Sequence, residues 1–307
     1  MSLSRRTVLL AALAAGLPAA ACTSTPTPEL ADLVLATGPD GAVFREIGGA
    51  LAAALADQLP HTRVVAKDTS ASVENLRLLK ANTAQLGLSS LDSAIYLPSL
   101  DGISAIGRLY DSFLHLVVPE SSTIRTFADL AGRRVSLGPV DSGTEFTATR
   151  LFRILGMKAD DVRMAHSESA LQLQAGTIDA FMALTGIPTP AIEGLMGKFP
   201  IRLISLADQA LALATSVPGP YVPATIPATT YGGLGANDTV SVPNLLLATS
   251  SLPDDVVEVV TRTVFTESER IAAGHPEASR INVRTGIATG QVPLHPGAER
   301  WFRSVKR

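Results

Sequence analysis

The sequence predicts an α/β protein built as two lobes, and three observations carry that expectation. From Leu33 onward, short apolar runs of strand type alternate with amphipathic runs of helical period, the pattern of parallel β-α-β units. A long apolar run, Arg108 to Pro119, interrupts the alternation, which then resumes, so a crossover joins two similar units. With 307 residues, 46% hydrophobic and 17% charged, the chain has the length and apolar content for roughly two globular domains.

In the first unit Leu33 to Thr37 reads as a strand, Gly38 to Gly41 as a turn, and Val43 to Leu59 as a helix in which Gly48-Gly49 marks a close contact. The strand Thr62 to Ala66 comes next. Ser70-Ala71-Ser72 then caps a helix through Lys80, and the strand Leu86 to Ser90 ends in a turn at Leu91-Asp92. In the second unit Thr126 to Gly132 is a capped short helix leading into a strand that ends at Leu137. Val162 to Ala165, Ile178 to Ala183 and Ile201 to Ser205 are further strands, with helices over Ser167 to Gly176 and from Pro190 to Gly197 between them. Pro218 to Pro227 is proline-dense and extended, Val242 to Thr249 is a strand returning to the first unit, and Pro253 opens a long helix through Ala273. Trp301 is expected to pack on the first lobe. The divisions that follow are 1–21 for an export signal, 22–31 for a tether, 32–118 plus 242–307 for lobe one and 119–241 for lobe two, with crossings near 115–120 and 240–245.

The most informative stretch is Val135 to Glu145. An apolar strand end, a Gly138-Pro139 break and Ser142-Gly143-Thr144 lead into a helix that Gly156 stops. A helix opening in this way leaves backbone N–H groups unpaired, with a hydroxyl on either side of a glycine, which suits a small anion. Ser142 and Glu145 also fit a Ser-x-x-Glu capping box, which needs no ligand.

Ser4-Arg5-Arg6 enters an apolar stretch through Ala21 that is too short and alanine-rich for a membrane span, and it reads as an export signal of twin-arginine type. Cys22 is the only cysteine, so a disulfide within the chain is excluded; following small residues at the end of an apolar run, it resembles a lipidation site. Thr23 to Pro28 would then be the tether to the membrane. The formal net charge is -3, and removing Arg5 and Arg6 leaves 23 basic against 28 acidic residues, a balance with no basic face for nucleic acid. His61, His115, His166, His275 and His295 share no metal-ligand spacing, and no Gly-x-Ser-x-Gly nucleophile turn occurs.

Five motifs in order, Ser72-Val73-Glu74-Asn75-Leu76-Arg77, Asp129 to Ser136, Gly138 to Glu145, Gly186-Ile187-Pro188-Thr189-Pro190, and Tyr221 to Pro227, resemble the TAXI family, the extracytoplasmic solute-binding subunits of TRAP transporters. The resemblance implies a periplasmic-binding-protein fold of type II character, two α/β lobes joined by hinge strands around a central ligand cleft. It implies no catalysis and no cofactor. The expected partners are a small carboxylate (glutamate, glutamine, a dicarboxylate or a 2-oxo acid) and the TRAP membrane permease. The protein would be a monomer, lipid-anchored through Cys22 to the outer face of the cytoplasmic membrane or free in the periplasm. An importer of the ABC type can use the same fold, and an enzyme on that fold is a further alternative.

The candidate ligand-binding residues are Thr37, Gly38, Ser72, Val73, Glu74, Asp92, Ser142, Gly143, Thr144, Gly186, Pro188 and Tyr221. Thr37-Gly38 ends the first strand as in the resembling family, but Pro39-Asp40 and Val43-Phe44 stand where its glycine-rich turn and tyrosine pair would be, and the lost hydroxyl points to a different ligand. Ser72 either meets the ligand from the first lobe, across the cleft from Ser142, or merely caps its helix. Glu74 either holds an ammonium or complements the helix dipole, and Asp92 is either a cleft residue or a turn aspartate. No arginine lies within a motif assigned to the ligand carboxylate; Arg45 and Arg150 are the basic candidates.

Overall fold

The computed structural model describes residues 30–96 and 99–306; the leader, Cys22 and the tether through Glu29 lie outside the described residues. The first lobe is begun by β1 (Asp32–Ala36), α1 (Val43–Gln58), β2 (Arg63–Lys67), α2 (Ser72–Lys80), β3 (Leu86–Ser90) and α3 (Leu91–Ala94). The long strand β4 (Ile103–Pro119) leads to the second lobe, with β5 (Arg134–Ser136), α4 (Gly143–Ile154), β6 (Asp160–Val162), α5 (His166–Gln174), β7 (Ala180–Thr185), α6 (Pro190–Met196), β8 (Ile201–Leu203), α7 (Ala207–Ser216) and β9 (Val222–Ile226). A second long strand, β10 (Asn237–Thr249), returns to α8 (Asp254–Thr266), α9 (Ser268–Ala272), α10 (Val283–Gly286) and α11 (Pro296–Val305).

One mixed sheet runs in the order β2-β1-β3-β10-β4-β7-β5-β6, with β8 beside β4 and β9 beside β10. Pairing is parallel among β2, β1 and β3 and among β7, β5 and β6, where helices connect the strands, as the alternation predicts, and antiparallel where β3, β7, β8 and β9 meet β4 or β10. It is also antiparallel where β4 and β10 pass between the lobes in opposite directions. The first part of β4, through Tyr110, packs with α1 and α8, and the part from Phe113 packs with the second lobe; β10 changes sides between Val242 and Leu245, beside an irregularity in its pairing with β4.

The strand sequences follow from this burial. β7, Ala-Phe-Met-Ala-Leu-Thr, is buried at every position because helices cover both faces. Its alternate residues divide accordingly: Ala180, Met182 and Leu184 join the core under α4 and α7, whereas Phe181 and Ala183 join that under α5 and α6. In the first lobe Val43, Ile47, Leu51 and Leu55 repeat every four residues along α1 and meet Val256, Val260 and Val264 of α8. Trp301 completes that core as expected, stacked on Phe265 at 5.6 Å between ring centroids.

Three local expectations are corrected, and one helix, α7, has no counterpart in the sequence reading. The helix read through Ala273 is broken at Glu267 into α8 and α9; near the break Thr263 and Thr266 donate to the carbonyls of Val259 and Arg262, bonds of a kind that bend a helix. α7 has only Ala210 and Leu213 buried in an alanine-rich stretch, too weak a stripe to have been read as a helix. Of the glycine pair, only Gly48 makes a close contact: a Cβ there would lie 2.3 Å from Thr37 Cγ2, while Gly49 faces open space. Ser72 is the first helical residue rather than the cap; Ala71 precedes it at a positive φ of 95°, and no side chain caps that end.

What fixes α2 is Asn75. Its Nδ2 donates to Thr37 O and Leu88 O at 2.7 Å each and reaches Ala36 O at 3.3 Å, and its Oδ1 accepts from Thr69 Oγ1 at 2.6 Å. One fully buried side chain thereby ties the helix to the ends of β1 and β3. Replacing Asn75 by Ala leaves buried carbonyls unpaired, each costing about 1–3 kcal/mol, so N75A is expected to lose on the order of 3 kcal/mol of stability. In urea unfolding this appears as a lower midpoint at unchanged slope; a loss below about 1 kcal/mol would show that Asn75 does not organise this region.

Candidate functional site

A small cavity, about 20 Å³ and partly open to solvent, lies between the lobes. The β1–α1 turn supplies Pro39, Ala42 and Phe44, and the start of α2 with the end of β3 supplies Ser70, Ala71, Ser72 and Ser90. Ser112 of β4 and Asn244 of β10 form its floor, bonded to each other at 2.9 Å through Asn244 Nδ2 and Ser112 Oγ. The second lobe contributes Ser142, Gly143 and Thr144 at the start of α4, His166 at the start of α5, and Leu184-Thr185 at the end of β7.

The two helix starts face each other closely. A Cβ on Gly143 would lie 2.7 Å from Ser72 Oγ and 3.1 Å from Ser90 Oγ, so the absence of a side chain at Gly143 permits the contact. Ser142 caps α4 by accepting from Glu145 N at 3.0 Å, while Glu145 Oε2 accepts from Asp141 N at 2.7 Å. The cap and the cleft position of Ser142 therefore coexist: its Oγ serves the helix while the Gly143 and Thr144 N–H groups find no acceptor among the described residues. Thr144 Oγ1 accepts from Leu184 N at 3.0 Å and lies 3.2 Å from His166 Nε2. Burial, followed by the nearby His115, pushes the His166 pKa down to about 4, so the ring is neutral near pH 7.

Of the sequence candidates, the structure brings Ser72, Ser142, Gly143 and Thr144 into this cavity. The others stand outside its lining. Thr37 donates through Oγ1 to Lys67 O at 2.8 Å and packs on Gly48, and Gly38 lies against Phe44. Glu74 accepts from Ser70 N at 2.6 Å, so its carboxylate serves the turn before α2. Gly186 gives room to Tyr110, Val43 and Glu277, and Pro188 O meets His275 Nε2 at 2.8 Å. Val73 lines a neighbouring, more open cavity with Tyr96, Phe146, Arg150 and Arg153.

Asp92 and Tyr221 join the lobes instead. Asp92 is fully buried; Oδ2 accepts from Thr147 Oγ1 at 2.6 Å and Tyr221 OH at 2.9 Å, both from the second lobe, and Oδ1 accepts from Ser93 N at 2.8 Å. Arg150 Nη1 donates to the same Tyr221 hydroxyl at 2.9 Å, and its guanidinium carbon sits 3.9 Å from the Tyr96 ring centroid and 4.4 Å from that of Phe146. Further links between the lobes run from Glu74 N to Asp141 O at 2.9 Å, from Arg77 to Asp141 at 2.7 Å, and from Val43 N to Thr185 Oγ1 at 3.3 Å. Arg45 pairs with Asp68 at 2.9 Å, so neither basic candidate reaches the cavity.

Sequence reading missed Ser90, Ser112, His166, Thr185 and Asn244. Ser90 carried a usable signal, the carboxyl end of a strand in a parallel unit, which is where such folds place ligand loops. Ser112 and Asn244 are brought together only by the antiparallel pairing of β4 and β10. Among the described residues no three His, Cys, Asp or Glu side chains are placed to hold a metal ion, and no helix is long and apolar enough to cross a membrane.

Among solved structures, the chain is similar to one titled a periplasmic transporter (13% identity, 90% of this chain and 92% of that one, TM-score 0.54). It is also similar to a putative L-cystine ABC transporter from Listeria monocytogenes (12% identity, 84% and 98%, TM-score 0.53). A third is the substrate-binding protein of an amino acid ABC transporter (15% identity, 79% and 96%, TM-score 0.50). At these identities the likeness establishes the fold, the two-lobed periplasmic-binding-protein architecture. The sequence from residue 35 to 305 matches the NMT1-like family, and the protein belongs to that family.

Proposed function

We propose that this protein is an exported, non-catalytic solute-binding protein that captures a small carboxylate between its lobes and delivers it to a membrane permease. One observation carries the reading: two helices from different lobes begin against each other at Ser72 and Gly143, on the cavity between the lobes. A carboxylate there meets the positive ends of two dipoles at once, so binding favours closure. The hinge lies where β4 and β10 change cores, at 110–113 and 242–245. The five-motif resemblance favours a TRAP permease of the TAXI type as the recipient, with Cys22 as the lipid anchor. An ABC importer is the second reading, supported by the similarity to a protein named for L-cystine ABC transport.

Uptake by vesicles carrying the co-encoded permease separates the two: transport driven by a sodium gradient supports TRAP, and transport requiring ATP supports ABC. For the binding step, a ligand at a hundredfold above its Kd should stabilise the protein by about 2.7 kcal/mol, read as a rise in Tm. Gly143→Ala puts a methyl group against Ser72 Oγ and should abolish most of the ligand-induced rise. A full rise in that variant would refute closure at Gly143. Tyr221→Phe removes one donor from buried Asp92 and should weaken ligand affinity by about 1–3 kcal/mol while shifting small-angle scattering toward a larger radius of gyration. Unchanged affinity would mean that the Asp92 contact does not stabilise the closed form.

A further inference from the structure

The cleft is built without a charged side chain. Among the described residues, those lining it include no Asp, Glu, Lys or Arg, and its single titratable group is His166. The nearest candidates for charge recognition stand outside this lining: Glu74 bonds Ser70 N, Asp92 bonds Thr147 and Tyr221, Arg45 pairs with Asp68, and Arg150 bonds Tyr221 through Nη1 and lines the neighbouring cavity with its Nη2 unpaired among the described residues.

Resting on the solute-binding reading, we infer that the ligand is a small monocarboxylate carrying a neutral acceptor oxygen and no amino group, of the 2-oxo or 2-hydroxy acid class, and that His166 Nδ1–H selects that oxygen. Four features lead there. First, the backbone N–H groups of Ser72, Gly143 and Thr144 are free among the described residues, at the starts of helices of 9 and 12 residues from opposite lobes, which provides for one carboxylate. Second, His166 is only 3% exposed and its Nδ1 is buried with no partner. An unpaired polar atom at such a position is costly unless a ligand meets it.

Third, Leu184 N–H takes one lone pair of Thr144 Oγ1, and His166 Nε2, 3.2 Å away, is the acceptor that the described residues offer to the threonine's own proton. With that bond made, the ring proton is on Nδ1 as a donor. Burial keeps the ring in this neutral form, with its pKa near 4. Fourth, Phe44 and Leu184 supply an apolar wall for a short hydrocarbon tail.

An amino acid fails this site on two counts: its ammonium finds no carboxylate, and beside His166 it sets donor against donor. A dicarboxylate places its second charge in a cavity with no cation. A simple aliphatic acid satisfies the helix starts and the wall but leaves Nδ1–H unpaired.

The test is calorimetric titration of the purified protein with matched probes: 3-methyl-2-oxobutyrate, its 2-hydroxy counterpart, valine, 3-methylbutyrate and 2-oxoglutarate. The oxo and hydroxy acids are expected to bind roughly ten- to hundredfold more tightly than the other three. His166→Phe should abolish the preference over 3-methylbutyrate while leaving 3-methylbutyrate binding itself within about threefold, and His166→Asn, which keeps an N–H donor, should restore part of it. Independently, long-range nitrogen–proton spectra at pH 7 should show the His166 proton on Nδ1. Valine or 2-oxoglutarate binding as tightly as the oxo acid would overturn the inference and leave the solute-binding reading intact. A preference unaffected by His166→Phe, or a proton on Nε2, overturns the role of His166. Binding of none of the probes overturns the ligand class, and if a wider panel of uncharged solutes also fails, the solute-binding reading falls with it.

Discussion

The closed arrangement of the lobes depends on one buried carboxylate. Removing an ion from water costs several kcal/mol unless hydrogen bonds replace its hydration, and Asp92 is completely buried. Of its three donors only Ser93 N belongs to its own lobe; Thr147 and Tyr221 come from the other. Arg150 extends the chain of contacts, bonded to Tyr221 and lying over Tyr96 of the first lobe. Moving the lobes apart would replace the Thr147 and Tyr221 hydroxyls with water as the partners of this carboxylate.

The exposed ion pairs across the cleft are weaker determinants. Arg77 and Asp141 meet at 2.7 Å, but Arg77 is largely exposed and such pairs contribute about 0–1 kcal/mol. The backbone bond from Glu74 N to Asp141 O, at the same place, is better shielded. Steric fit then limits how far closure goes: Gly143 sits where any side chain would strike Ser72. The turn at Gly41 does the same on the far side, where a Cβ would fall 2.4 Å from Ser167 Oγ. Two glycines on different lobes thus set the closest approach, while Asp92 supplies the attraction.

How much of this was legible in the sequence depends on how local each signal is. Ser142-Gly143-Thr144 was readable because strand, turn, cap and helix lie within a few residues, and both readings of Ser142, cap and cleft residue, hold in the structure. The alternation from Leu33 and the crossover through β4 and β10 were readable from hydrophobic period alone. Glu74 and Asp92 were not separable from ligand residues, because an acid in a first turn looks the same whether it faces a ligand, its own backbone or another lobe. Glu74 turned to Ser70 N, and Asp92 to residues 55 and 129 positions away. His166 and Asn244 carry no local pattern; their place follows from the order of strands in the sheet, which pairing over long sequence separations decides.

The neutrality of the cleft and the charge of its surroundings belong to one design. A ligand shifts the balance between open and closed forms only by its difference in affinity for the two. A guanidinium on one lobe would hold a carboxylate tightly in the open form as well, and that part of the affinity would contribute nothing to closure. Helix starts divided between the lobes act differently, because the field of each falls off within about a turn and the two combine on one anion only when Ser72 and Gly143 are together. On the proposed reading, keeping Arg45 and Arg150 out of the cavity would weaken capture by an open form and concentrate binding energy in a closed one. On the same reading that distribution matters more than total affinity: separation of Gly143 from Ser72 takes the Ser72 N–H away from those of Gly143 and Thr144, and the described lining holds no charged side chain to retain an anion.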